Sequence, residues 1–163
     1  MEEDNQNYIQ YRLIMREYQY YGLFLTQGSR DKLRRYLIDS PYQLAFLMST
    51  KEYLDHCTLL HVSQEKDHVD LKKLLDELCT NTTKHALVVN AVGMSDRALA
   101  FRVSMPQLGS SRTGELKFIP LCANRTPHIT ICTFGDGKPQ DSNNITKWTE
   151  IEPMGITTLI HKV

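Results

Sequence analysis

This sequence lacks the features that would place it in several large classes at once. No apolar run approaches the ~20 residues that a membrane-spanning helix requires. Its opening, "MEEDNQNY", is acidic where a secretory leader would be basic and then apolar. A soluble, cytoplasmic chain without a membrane partner is therefore expected. Charge of neither sign is in excess, with 19 Lys and Arg against 19 Asp and Glu. That balance supplies no basic field of the kind that holds long duplexes, so duplex DNA is not an expected partner; a small nucleotide or an RNA end needs no such field. The four cysteines, Cys57, Cys79, Cys122 and Cys132, form no CxxC pair and sit mostly among apolar neighbours, the pattern of reduced, packed thiols. A P-loop, a dinucleotide fingerprint, an HExxH helix and a GxSxG elbow are all missing, which leaves no sign of nucleotide-triphosphate, zinc-protease or serine-hydrolase chemistry.

What is present fits one domain with a real core: 163 residues, 41% hydrophobic and 23% charged. No repeat of solenoid period, low-complexity tract or linker divides residues 1–163, and the polar residues 1–18 read as a peripheral N-terminal segment. "YYGLFLT" at 20–26 has strand composition, and Ser29 is the expected N-cap of the helix that follows. Ser40-Pro41 reads as a second helix start. Leu71, Leu74, Leu75 and Leu78 recur at helical spacing, the stripe of an amphipathic helix laid on a sheet. "KHALVVNAVGM" and "RALAFRVSM" form an expected hairpin turning at Ser95-Asp96. Further strands are expected near 116–119, 128–133 and 157–161, with a short helix around Ser142 to Trp148. Strands and helices alternate irregularly, so the fold class is α+β.

Two of the expected strands carry the same polar pair. "DHCTLLH" spans 55–61 and "PHITICT" spans 127–133, each with a histidine, one intervening residue and a threonine in an apolar run. Side chains alternate faces along a strand, so His56 and Thr58 share a face, as do His128 and Thr130. Cys57, Leu59, Ile129 and Ile131 then point the other way, into a core. Two imidazoles and two hydroxyls facing one cleft match phosphodiester chemistry. Histidine titrates near neutrality, so one ring can take a proton from the nucleophile while the other gives one to the leaving oxygen. The threonine hydroxyls can hydrogen-bond phosphoryl oxygens. This scheme requires no metal or other cofactor.

The competing metal reading uses Asp55, His56, Cys57 and His61, or His128 with Cys132. Residues four apart on a strand lie about 13 Å from one another, too far to share an ion. His68, His85 and His161 have no repeated setting and read as solvated or locally satisfied side chains.

The paired His-x-Thr motifs resemble those of the two-histidine phosphoesterase superfamily. Their flanks are similar to the catalytic domain of vertebrate 2',3'-cyclic-nucleotide 3'-phosphodiesterase, and more distantly to the cyclic-phosphodiesterase domain of fungal tRNA ligase. "YYGLFLTQGSRDKLRR" resembles the opening strand and helix of that family, "ALAFRVSM" its central hairpin strand, and "PHITICTFGDGKPQDSNNI" its second motif and following loop. The likeness covers roughly residues 18–163. It implies a bilobal fold of two antiparallel sheets flanked by helices, with a central cleft and one motif from each lobe.

The resemblance also implies hydrolysis of nucleoside or RNA-terminal 2',3'-cyclic phosphates to 2'-phosphates. In that reaction His128 would be the base on water, His56 the acid toward the 3' oxygen, and Thr58 and Thr130 the phosphate-binding residues. Pro139 and Gln140 fall in the loop that borders the phosphate, and Tyr20 falls on an active-site tyrosine. Where the family carries an aromatic residue against the base, this chain has His61. Where the family carries an arginine two residues before the second histidine, it has Thr126, with Arg125 one step earlier. The chain is expected to lack the family's kinase-like domain and, ending "IHKV", its prenylation box. Two other readings stay open at this level. One is cleavage of 2',5'-oligoadenylate, including the role of a viral antagonist of innate immunity; the other is a non-catalytic module that binds RNA ends.

Overall fold

The computed structural model describes residues 18–81, 83–105, 107–110 and 117–163. Most of the proposed N-terminal segment lies outside these residues, but Tyr18 is buried in the core. Strand β1 (Tyr20–Leu25) buries Tyr21 and Leu23 and leaves Tyr20 and Phe24 partly exposed, the alternation of a half-buried strand. Helix α1 (Gln27–Ile38) follows at once. Its cap is Thr26 and not Ser29: Thr26 Oγ1 accepts from the Ser29 amide at 3.3 Å. The Ser29 hydroxyl is taken by a strand backbone instead, accepting from the Thr157 amide at 2.8 Å. Ser40 accepts from the Tyr42 amide at 3.1 Å and donates to the Leu37 carbonyl at 2.8 Å. Ser40-Pro41 therefore turns the chain, and the five-residue α2 (Gln43–Leu47) begins only after it.

Beyond β2 (Lys51–Glu52) comes β3 (His56–His61), then a 3₁₀ turn over Val62–Asp67 and helix α3 (Val69–Cys79). The leucine stripe of α3 behaves as its spacing requires, with Leu71 and Leu75 buried and Leu74 and Leu78 half-buried. β4 (His85–Met94) and β5 (Ala98–Ser104) form the expected hairpin, and β6 (Gln107–Ser110) pairs with β7 (Lys117–Pro120) as a separate ribbon. β8 (His128–Thr133) carries the second motif. The short helix expected around 142–148 is instead a 3₁₀ turn over Pro139–Asn144, and Trp148 already begins β9 (Trp148–Lys162). The reason is packing: Ile145 and Trp148 lie so close over Gly93 that a Cβ there would come within 2.6 Å of each. An extended segment achieves that contact.

The sheet order is β2-β8-β3-β1-β9-β4-β5, all antiparallel, and β5 also pairs with β8. Six strands therefore close into a ring, with β2 attached to β8. The α+β class holds, but the expected bilobal pair of sheets is replaced by one continuous, barrel-like sheet. β9 explains this, because its fifteen residues pair with β4 along one stretch and with β1 along the next. The main core joins Leu33 and Leu37 of α1, and Leu71 and Leu75 of α3, to Leu23, Cys57, Leu59, Ile129 and Phe101 of the sheet. A ring of six strands has no room for helices inside. The helices cover its outer face, so the opposite face of each strand lines the concave side. Among the described residues no helix is long and apolar enough to cross a membrane.

Candidate active site

The two His-x-Thr strands are neighbours in the ring. Cys57 lies opposite Ile129, and both are fully buried under the helices, as are Leu59 and Ile131. Their neighbours must point to the concave face. The antiparallel register sets Thr58 across from His128 and brings His56 up beside Thr130. All four motif side chains are half-buried on this one face. The two histidines are diagonal neighbours, at a spacing of roughly 7–8 Å for such positions, which leaves room for one phosphoryl group between them.

The approach to His56 is irregular. Glu52 pairs with Cys132 and Cys57 with Ile129, so β3 enters its ladder through extra residues on its own side. Leu54, in that bulge, has φ 45°, the left-handed region that costs a branched side chain strain, and it is fully buried. Bulges of this kind re-aim the side chains next to them.

His56 is the third ring of an aromatic stack. Its centroid is 5.0 Å from that of Tyr20 and 4.9 Å from that of Phe24, with interplanar angles of 21° and 26°. Gly22 between them makes this possible, since a Cβ there would sit 3.0 Å from Phe24, 3.3 Å from His56 and 3.4 Å from Tyr20. His56 Nδ1–H donates to Asp55 Oδ2 at 3.1 Å, which directs Nε2 away from that carboxylate. His128 has a different partner: its Nδ1–H donates to the Thr126 carbonyl at 2.8 Å. That bond leaves the Nε2 lone pair of the neutral ring available. Burial lowers the His128 pKa below the ordinary histidine value; the Thr126 carbonyl opposes the shift, and the nearby His56 adds to it. The His128 imidazole is thus biased toward the neutral form, and the His56 imidazole is held by a carboxylate.

Thr130 ties the second motif to the following loop. Its hydroxyl lies 2.9 Å from Ser142 Oγ, which is buried, and donates to the Pro139 carbonyl at 3.4 Å. This contact brings Pro139 and the exposed Gln140 to the edge of the site. His61 pairs with Tyr20, and a register shift near Leu60 returns it to the Tyr20 side of the strand. There its Nδ1 accepts from the Ser63 amide at 3.1 Å and from the Ser63 hydroxyl at 2.8 Å, capping the 3₁₀ turn.

Arg125 is not brought to this face. It is exposed and lines a separate cavity of about 880 Å³ with His68, Cys122 and Asn124. At Thr126, the position where the resemblance would place an arginine, it is the backbone carbonyl that meets His128. Three neighbours escaped the sequence reading. Asp55 was grouped with a metal cluster and instead holds the His56 ring. Phe24 shares the period-2 face of Tyr20, the one available signal. Ser142 carries no local signature. His161, expected to be solvated or locally satisfied, packs edge-on against Phe24 at 5.5 Å. Among the described residues no three His, Cys, Asp or Glu side chains are grouped so as to hold a metal ion.

No curated protein matches the chain. The crystal structure of a fungal RNA kinase aligns with a TM-score of 0.54 at 19% identity, over 90% of this chain. The chain spans 41% of the length of that protein, so the likeness shows the fold alone. The model of the fungal tRNA ligase phosphodiesterase domain matches residues 48–162, the stretch that holds both His-x-Thr strands, the loop after the second and the whole of β9. By that match the chain belongs to the fungal tRNA ligase phosphodiesterase domain family, one of the two-histidine phosphoesterases.

Proposed function

We propose that the chain is a metal-independent phosphodiesterase that opens nucleoside or RNA-terminal 2',3'-cyclic phosphates to 2'-phosphates. The observation that carries this reading is the unequal environment of the two histidines. His128 has its Nδ1 proton engaged by a carbonyl and its pKa lowered by burial, the state suited to a general base at Nε2. His56 has the Asp55 carboxylate at 3.1 Å from Nδ1, which fixes the ring with Nε2 turned away from it, the geometry suited to a general acid at Nε2.

In the reaction, His128 Nε2 takes a proton from water as the water oxygen bonds to phosphorus. The bond from phosphorus to the 3' oxygen breaks in line with that attack, and His56 Nε2 supplies the proton to the departing oxygen. The phosphate stays on the 2' position. Thr58 and Thr130 donate to the non-bridging oxygens as charge grows on them. Thr130 can do so by turning its proton away from the long 3.4 Å contact with Pro139, while Ser142 continues to donate to it. On the far side of His56, Tyr20 and Phe24 offer a shelf for the base, with His61 at its edge. The family is that of a tRNA ligase domain, which supports RNA ends as the substrate class.

The test is incubation with 2',3'-cyclic AMP, an RNA ending in a cyclic phosphate, and 2',5'-linked oligoadenylate, followed by chromatographic identification of the products. A 2'-phosphate product is expected from the first two. A 3'-phosphate would reverse the docking. Cleavage of the oligoadenylate alone would replace this reading with the 2',5'-phosphodiesterase one, and binding without turnover would replace it with an RNA-end module.

A further inference from the structure

One cation stands beside the site and has no role in the scheme above. On the side of β8 away from β3, Arg102 lies opposite His128, and Phe101 lies opposite Ile129. Phe101 and Ile129 are fully buried under the helices, so Arg102 projects to the concave face in the same row as Thr58 and His128. His128 is therefore flanked by Thr58 on β3 and by Arg102 on β5, whose guanidinium turns toward Asn90 of β4.

The guanidinium is held more by a neutral amide than by a carboxylate. Arg102 Nε donates to Asn90 Oδ1 at 2.9 Å. Among the described residues its carboxylate neighbour is Glu150, with Oε1 3.8 Å from Nη2 on a side chain that is 87% exposed. An ion pair so long and so exposed contributes little. Asn90 is oriented in turn, because its Nδ2 donates to Ser104 Oγ at 2.7 Å, which leaves Oδ1 for Arg102. It is also a bulge residue: Val89 pairs with Val103 and Ala91 with Arg102, so Asn90 is the extra residue between them. With Nε engaged, the two terminal nitrogens remain as a planar fork that matches two phosphoryl oxygens.

We propose that Arg102 is a phosphate-binding residue of this site, gripping the phosphoryl oxygens of the bound nucleotide beside His128, and that Asn90 is the residue that positions it. The inference deepens the cyclic-phosphodiesterase reading and rests on it for turnover, but its binding test does not. A guanidinium there compensates the charge that grows on the phosphoryl oxygens as water attacks, and the 2'-phosphate dianion once the product has lost its remaining proton, beyond what two hydroxyls supply.

The test compares Arg102→Ala, Arg102→Lys, Asn90→Ala and Glu150→Gln with the wild-type chain. Calorimetry with 2'-AMP and with inorganic phosphate reads binding, and 2',3'-cyclic AMP reads turnover. Arg102→Ala is expected to weaken 2'-AMP about tenfold or more and to lower kcat/KM about a hundredfold, the scale of a charge-assisted pair and of a lost oxyanion donor. Arg102→Lys, which keeps the charge and the stem but not the fork, should recover part of both. Asn90→Ala should weaken 2'-AMP by a few-fold while leaving the melting temperature nearly unchanged. Glu150→Gln should bind 2'-AMP at least as tightly as wild type, whereas a purely structural Arg102–Glu150 pair would make it less stable with no gain in binding. Wild-type affinity in a folded Arg102→Lys and Arg102→Ala pair would overturn the proposal, as would a wild-type chain that binds neither probe. If wild type binds 2'-AMP through Arg102 but opens no cyclic phosphate, the function proposed above fails and the binding assignment stands.

Discussion

Gly22→Ala tests whether the aromatic stack sets the position of His56. The substitution puts one methyl between three rings, with Cβ 3.0 Å from Phe24, 3.3 Å from His56 and 3.4 Å from Tyr20. Unstrained carbon contacts lie at about 3.5–4.0 Å, so each ring must retreat by a few tenths of an ångström. The rings cannot all retreat together, since His56 is also held by Asp55 at 3.1 Å and β1 is paired on both sides, to β3 and β9. Overpacking of this size costs about 1–3 kcal/mol, partly offset by the ~0.5–1 kcal/mol that replacing a strand glycine returns. The catalytic loss should exceed the stability loss. Proton transfer needs heavy atoms within about 2.6–3.2 Å, so displacing the ring should lower kcat/KM about ten- to a hundredfold in a protein that remains folded. The assay is turnover of 2',3'-cyclic AMP beside urea denaturation, with Gly28→Ala as the control. A Cβ at Gly28 meets nothing within 4 Å, and in a helix it should add about 0.5–1 kcal/mol of stability without touching activity. If folded Gly22→Ala turns over within twofold of wild type, the stack does not position His56.

Three further outcomes follow from the same site. His56→Ala and His128→Ala should each lower turnover by about two to four orders of magnitude, with circular dichroism unchanged, and the double variant should be far from additive; ordinary activity in either folded single variant would remove these residues from the mechanism. The acid limb of kcat/KM should fall below the ordinary histidine value of about 6.5, because burial holds His128 neutral. The unfolded chain then binds more protons than the native one just below that pH, so stability should rise with pH through the same window in the wild type and less so in His128→Ala; an acid limb above 6.5 would contradict the assignment of the base. Activity should persist in excess chelator, since the two histidines and two hydroxyls complete the proton transfers and anion contacts; loss restored by zinc or manganese would refute this.

The local facts of this protein were legible without a structure. Period-2 alternation is a property of a few consecutive residues, so the sequence alone assigned His56 and Thr58, and His128 and Thr130, to faces opposite Cys57 and Ile129. The leucines of α3 and the β4–β5 hairpin were equally local. Contacts between distant segments were not legible, because pairing and register depend on which strands meet. Thr26 displaced Ser29 as a cap because β9 claimed the serine hydroxyl. Two sheets became one ring because β9 runs long enough to pair with both β4 and β1. The placement of Arg102 against His128 and of Gly22 beneath the His56 ring, and the absence of Arg125 from the concave face, likewise rest on cross-strand geometry. The sequence carried the chemistry of the two His-x-Thr pairs in the intervals between neighbouring residues; the tertiary fold alone decided which other side chains stand around them, since only closure of the sheet brings those strands within reach.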